Sequence, residues 1–212
     1  MESGDRFHEG NTRFAVDLPA WAVAALNELP EYLPSDDERM RAVLDFARMN
    51  FRRKTGGPFA AGVFERDSGR LVVIGVNRVL PGKCSSAHAE IVALSLAQKL
   101  LGVYDLGADG LPPYQLVVNW RPCSMCFGAV LWSGIRSLII AGSGAELENI
   151  TGFDEGPLHP KWRSELARRG IELRENILRQ DAVAVFQEFS TEGGFIYNAR
   201  LGQAQSDGPK MK

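Results

Sequence analysis

Two short stretches of the 212-residue sequence combine side chains that bind soft metals with one that moves protons. They are His88-Ala89-Glu90 and, with 35 positions separating His88 from the first cysteine, Pro122-Cys123-Ser124-Met125-Cys126. Cysteines at i and i+3 at a helix start project to the same side, where unpaired N–H groups favour the thiolate. Two thiolates and one imidazole make three ligands for Zn²⁺, which takes four, and the position left over holds water in a catalytic site. A dication with two thiolates sums to zero charge, so it should acidify that water less than an all-histidine site, where the pKa falls from about 15.7 to about 7. A neighbouring base is therefore required, and Glu90 is placed to take the proton and later return it. The expected cofactor is one Zn²⁺ per subunit, held by His88, Cys123 and Cys126.

Other chemistries use some of the same residues. Cys84, four positions before His88, would complete a structural Cys₃His site, and otherwise reads as a free thiol near the centre. A redox Cys-x-x-Cys pair would not need the upstream His-x-Glu, and Pro122 precedes the first cysteine instead of lying between the two.

The elements that must position these residues follow from periodicity. Trp21, Ala24, Ala25 and Leu26, between Pro19 and Pro30, recur at helical spacing. Ser35 caps a stronger helix, with Asp36, Asp37 and Glu38 at its positive end and Met40, Val43, Leu44 and Ala47 on one face. Arg52, Arg53 and Lys54 end it as a solvated turn answering the dipole, a phosphate contact being the alternative. Apolar stretches at 60–66 and 71–77 flank Asp67-Ser68-Gly69-Arg70 and read as a hairpin. Helices at 87–101, 123–132, 161–169 and 182–189 then alternate with strands at 114–119, 137–141 and 171–174. A hairpin followed by such alternation implies a mixed sheet, mostly parallel after its first pair, with helices on both faces. Residues 202–212 read as a flexible tail, His8 and His159 as surface or loop histidines, and the glycine-rich loop 102–113 has no assigned element.

Composition bounds the rest. At 45% hydrophobic and 24% charged residues the chain can bury a core, and its length suits one domain with extras. A formal net charge of −2 disfavours a general nucleic-acid binder, which would carry a broad basic field. Three cysteines argue against a disulfide scaffold and for a reducing compartment. With no signal-like start and no long apolar run, a soluble cytoplasmic protein is expected.

The His-x-Glu and Pro-Cys-x-x-Cys pair resembles the zinc signature of the cytidine-deaminase superfamily. Gly57-Pro58-Phe59-Ala60-Ala61 is similar to that superfamily's entry into its first strand, and Asn77 ends the second strand as the base-contacting asparagine does in the purine branch. The resemblance covers about Ser35 to Leu201. It implies a three-layer α/β/α sandwich around a five-stranded mixed sheet, in agreement with the strand pattern, with domain 35–201, an N-terminal helical extension 1–34 as cover or dimer element, and tail 202–212.

Within the superfamily the chain resembles the bacterial guanine deaminases. The similar segments are His88-Ala-Glu-Ile-Val-Ala-Leu-Ser, Cys123-Ser-Met-Cys-Phe-Gly-Ala-Val-Leu-Trp132, Gly152-Phe153-Asp154-Glu155-Gly156-Pro157 and Ile196-Tyr197-Asn198-Ala199-Arg200. The resemblance implies hydrolytic deamination of guanine to xanthine and ammonia, with Glu90 as proton shuttle and Glu155 as a second acid near the leaving amine. It implies that Asn77 and the Ala89 backbone contact the purine and that Phe59, Trp132 and Phe153 wall it. It further implies a homodimer in which the C-terminal segment can bring Tyr197 to the partner's site. Alternative substrates are s-triazines such as ammeline, cytosine or cytidine, and tRNA adenosine, the last disfavoured by the scarcity of basic surface.

Overall fold

The computed structural model describes residue 12 and residues 14–199. Residues 1–11 with His8, residue 13, and residues 200–212 with the expected tail at 202–212 lie outside the described residues. Helix α1 (Ala20–Glu28) follows Pro19, and helix α2 (Asp36–Arg52) starts at a full capping box: the Ser35 hydroxyl accepts from the Glu38 N–H while the Glu38 carboxylate accepts from the Ser35 N–H. Strands β1 (Ala60–Glu65) and β2 (Leu71–Val76) form the expected hairpin. After a short helix α3 (Val79–Gly82) come α4 (Ala89–Leu101), β3 (Tyr114–Val118), α5 (Ser124–Trp132) and β4 (Ser137–Ile140). Helix α6 (Glu146–Thr151), helix α7 (Trp162–Arg168), strand β5 (Glu172–Arg174) and helix α8 (Arg179–Thr191) complete the order.

Two of these helices, α3 and α6, were not anticipated. With four and six residues they are too short to display a 3.6-residue repeat, and Leu80-Pro81-Gly82 reads locally as a turn. Helix α8 begins at Arg179, before the apolar pattern that announced it at 182, because its first turn, Arg179-Gln180-Asp181, is polar and faces solvent.

The sheet runs β2-β1-β3-β4-β5, antiparallel across its first two pairs and parallel across its last two. Side chains alternate between two cores. Ala60, Phe64, Ile74, Val117 and Ile139 pack under α2 and α8, whereas Ala61, Val63, Leu116, Leu138 and Ile140 pack under α4, α5 and α7. This is the period-2 alternation of a sheet covered on both faces, and it makes the three-layer sandwich. Helix α4 lies directly on β2 at Gly75, where an added Cβ would stand 2.5 Å from the Ala93 nitrogen. That contact fixes the start of α4 beside the carboxyl ends of β3 and β4, the edge at which such sheets bind ligands.

Candidate active site

His88 and Cys123 occupy equivalent places in the chain: each is the N-cap of the helix that follows, α4 and α5, with extended backbone that turns its side chain past the helix start. Cys126 sits in the first turn of α5 and Glu90 in the first turn of α4. The ligand atoms of His88, Cys123 and Cys126 all lie within 4.8 Å of one another, and Cys123 Sγ is 3.6 Å from His88 Nδ1. Tetrahedral zinc, with bonds of about 2.3 Å to sulfur and about 2.0–2.1 Å to nitrogen, separates such donors by roughly 3.5–3.8 Å, so the triad fits the ion. Cys84 is not brought in. Its sulfur lies 3.1 Å from the Ser86 hydroxyl, outside the three-donor cluster, so the Cys₃His alternative is not formed among the described residues.

The electrostatics agree with a cationic tenant. The hydrogen bond from Cys126, joined by one from His88, lowers the Cys123 thiol to about 4. The same shared bond, with burial, pushes Cys126 up. A cation placed between the two sulfurs lets both become thiolates. Burial works against a charged His88, yet the Cys123 sulfur and the Glu90 carboxylate hold its pKa above the usual imidazole value.

A cavity of about 180 Å³ opens beside the triad. Glu90 and Glu155 both face it, along with Phe59, Asn77, Phe153 and Tyr197. Burial, followed by the negative charge of Cys123, raises the pKa of Glu90. Burial, then the charges of Cys123 and Glu90, pushes Glu155 up to about 8. The Glu155 loop is tied to α5 at the metal triad: the Ser124 N–H donates to the Glu155 carbonyl at 3.2 Å and the Ser124 hydroxyl to the Pro157 carbonyl at 2.8 Å. Phe153 lies edge-on to Phe59 with centroids 5.2 Å apart, and Tyr197 packs on Phe153 at 4.8 Å. Tyr197 arrives from beyond α8 because Asn198 anchors that segment, accepting from the Asp154 N–H at 2.9 Å and donating to the Gly152 carbonyl at 2.8 Å. The chain's own Tyr197 therefore lines its own cavity.

Asn77 is buried at the end of β2 with the Tyr197 hydroxyl as a neighbour, and its Nδ2 has no partner at full hydrogen-bond geometry. An unpaired donor at a cavity wall is costly unless a ligand accepts from it.

Two expected contacts differ. Trp132 is 87% exposed at the far end of α5 and is not among the cavity-lining residues, because the helix that starts at the triad carries its last turn away from it. Trp120 lines the cavity and was overlooked, although its place just past the carboxyl end of β3 could have signalled it. Ala89 is fully buried between His88 and Glu90, behind the lining side chains. Arg121 and Asp154 also line the cavity and were not singled out as contacts, since neither is marked by periodicity or spacing.

Residues 34–142 match the cytidine and deoxycytidylate deaminase zinc-binding region. The chain belongs to this family. The deaminase resembles a protein solved in complex with 2,6-diaminopurine, with 50% identity, a TM-score of 0.82, and coverage of 90% of this chain and 99% of the other. It is similar to a guanine deaminase from Nitrosomonas europaea at 49% identity and a TM-score of 0.81, covering 85% of this chain and 98% of that one. It is also 33% identical over 100 residues to the guanine deaminase of Bacillus subtilis, a match spanning 47% of this deaminase and 59% of that relative's length. Among the described residues no helix is long and apolar enough to cross a membrane. The deaminase is a zinc-dependent hydrolase by its family and its donor set.

Proposed function

We propose that this deaminase hydrolyses guanine to xanthine and ammonia as the free base. The observation that carries the reading is the pair of carboxyl groups, Glu90 and Glu155, facing one small cavity beside the metal triad and both held above the usual carboxylate range. Guanine C2 carries an amino group between two ring nitrogens, so its hydrolysis needs one proton at a ring nitrogen and another at the amine. Two carboxyl groups divide that work.

His88, Cys123 and Cys126 would hold the zinc, which when bound would supply an acidified water for attack at C2. Glu90 accepts a proton and passes it to the ring nitrogen beside C2. Glu155 donates a proton to the amine, the C2–N bond breaks to release ammonia, and the C2 hydroxyl becomes the carbonyl of xanthine by returning its proton to Glu155. Asn77 Nδ2 donates to an acceptor on the purine, satisfying its unpaired N–H. Phe59 and Phe153 flank a flat base, and stacking of this kind is worth about 1–3 kcal/mol per base in nucleic-acid binding. Tyr197 closes the cavity and excludes water. The volume favours a base over a nucleotide, being below the roughly 300–1,000 Å³ of drug-sized sites. The neighbours of known function at about half identity act as a guanine deaminase or bind a diaminopurine, which supports the same substrate class.

A homodimer accompanies this reading. Trp132 and Met125 on α5, with Leu100 and Tyr104 at the end of α4, are large apolar side chains left exposed, and a second copy would cover them. The function is tested by ammonia release from guanine, guanosine, adenine, cytosine, cytidine and ammeline. Zinc-replete protein should turn over guanine fastest and guanosine hardly at all; no release from guanine overturns the proposal.

A further inference from the structure

The orientation of the Asn77 amide is fixed by its surroundings. Its oxygen lies 3.4 Å from the Gly57 N–H and 3.3 Å from the Val79 N–H, both of them donors, so the nitrogen is turned the other way. Where that nitrogen aims depends on the backbone at residues 57 and 77, and one side chain grips both. Asn50, fully buried on α2, donates through Nδ2 to the Gly57 carbonyl and to the Asn77 carbonyl, each at 2.9 Å. With both amide protons given to carbonyls, Asn50 Oδ1 must accept, and it does so from the Thr55 hydroxyl at 2.8 Å. The Thr55 oxygen in turn accepts from Trp21 Nε1 at 2.9 Å. A second tie runs in parallel, as Arg78 donates to the Thr55 carbonyl at 2.6 Å and to the Asp17 carbonyl at 3.0 Å. The packing leaves no slack: a Cβ at Gly56 would stand 1.9 Å from the Asn77 oxygen and 2.5 Å from Asn50 Nδ2.

We propose that Asn50, Thr55 and Trp21 act as positioning residues that aim Asn77 Nδ2–H at an acceptor of the purine, making the N-terminal extension part of substrate recognition. The inference rests on the reading of Asn77 as the purine donor given above. None of the three touches substrate. They act through a chain of hydrogen bonds from Trp21 to the Asn77 carbonyl, with the Thr55 hydroxyl, which also lies 3.1 Å from the Asn50 carbonyl, as its middle link. Trp21 and Asp17, in the segment before α2, supply the outer end of that chain.

The test is a double-mutant cycle in the zinc-loaded full chain between Thr55→Val and Asn77→Ala, with Thr55→Ser as the conservative variant and Trp21→Phe as a second probe that removes only the indole N–H. Zinc content and thermal midpoint are recorded for each protein. Thr55→Val should raise KM for guanine about three- to tenfold with kcat nearly unchanged and zinc retained, and Thr55→Ser should restore it. Trp21→Phe should move KM the same way by about two- to threefold. In the Asn77→Ala background both changes should vanish, because no amide is left to aim. Unchanged KM in Thr55→Val and Trp21→Phe, or an equal rise with and without Asn77, overturns the positioning role. Wild-type KM in Asn77→Ala itself overturns the donor reading, and the relay falls with it.

Discussion

At the scale of single residues, two carboxyl groups share one buried environment beside the metal triad. Glu90 and Glu155 are both carboxyl groups in one cavity, and burial beside the Cys123 sulfur raises both. Burial and the charges of Cys123 and Glu90 push Glu155 up to about 8, which suits donation to a leaving amine. An acid required in its protonated form loses activity as pH rises through its pKa. The rate of guanine hydrolysis should therefore fall above about pH 8, and Glu155→Gln should remove that alkaline limb while lowering kcat by about 10²–10⁴, as a pH–rate profile would show. Glu90→Gln should retain zinc and lose turnover by at least a similar factor, measured as metal content against ammonia release. His88, Glu90, Cys123 and Cys126 were legible in the sequence, because metal ligands and their base obey a spacing set by the helix start. Asn77, Phe153, Tyr197 and Glu155 carry no such spacing and came only through resemblance. Trp132 shows the limit: resemblance put it at the ring, whereas its place at the far end of α5 leaves it in solvent.

At the scale of elements, the site is made by two helix starts pressed against one edge of the sheet. Helix α4 can reach that position only because Gly75 of β2 lacks a side chain under Ala93. Gly75→Ala would force a Cβ against backbone, which cannot move aside as a flexible side chain can. The expected cost is about 1–3 kcal/mol of stability, with a matching loss of zinc affinity because His88 heads the displaced helix; thermal denaturation and metal analysis check both. Periodicity disclosed the five strands and the long helices, since each buries one face or both. It did not disclose α3 and α6, which are too short to repeat, or the true start of α8, whose polar first turn lies in solvent.

At the scale of the molecule, two cores clasp the sheet, and the segments before α2 and after α8 both return to the cavity. The first ends its hydrogen-bond chain at Trp21 and Asp17, and the second brings Tyr197 in through the Asn198 anchor. The exposed end of α5 is the surface that a second copy is proposed to cover. Trp132→Glu should convert a dimer to a monomer in sedimentation experiments while leaving zinc bound, since the residue lies away from the triad.

The sequence by itself determined the metal donors, the carboxylate beside them, the hairpin and the alternating layers, because each is written in spacing along the chain: two residues per strand repeat, about 3.6 per helical turn, two residues between the cysteines. The tertiary structure alone decided that Trp120, not Trp132, is among the residues lining the cavity, that Cys84 stays out of the metal cluster, and that Asn50 on one helix bonds the carbonyl of Asn77 just past a distant strand. Those facts concern residues brought together from separate parts of the chain, where closeness depends on how layers pack and no local pattern records it.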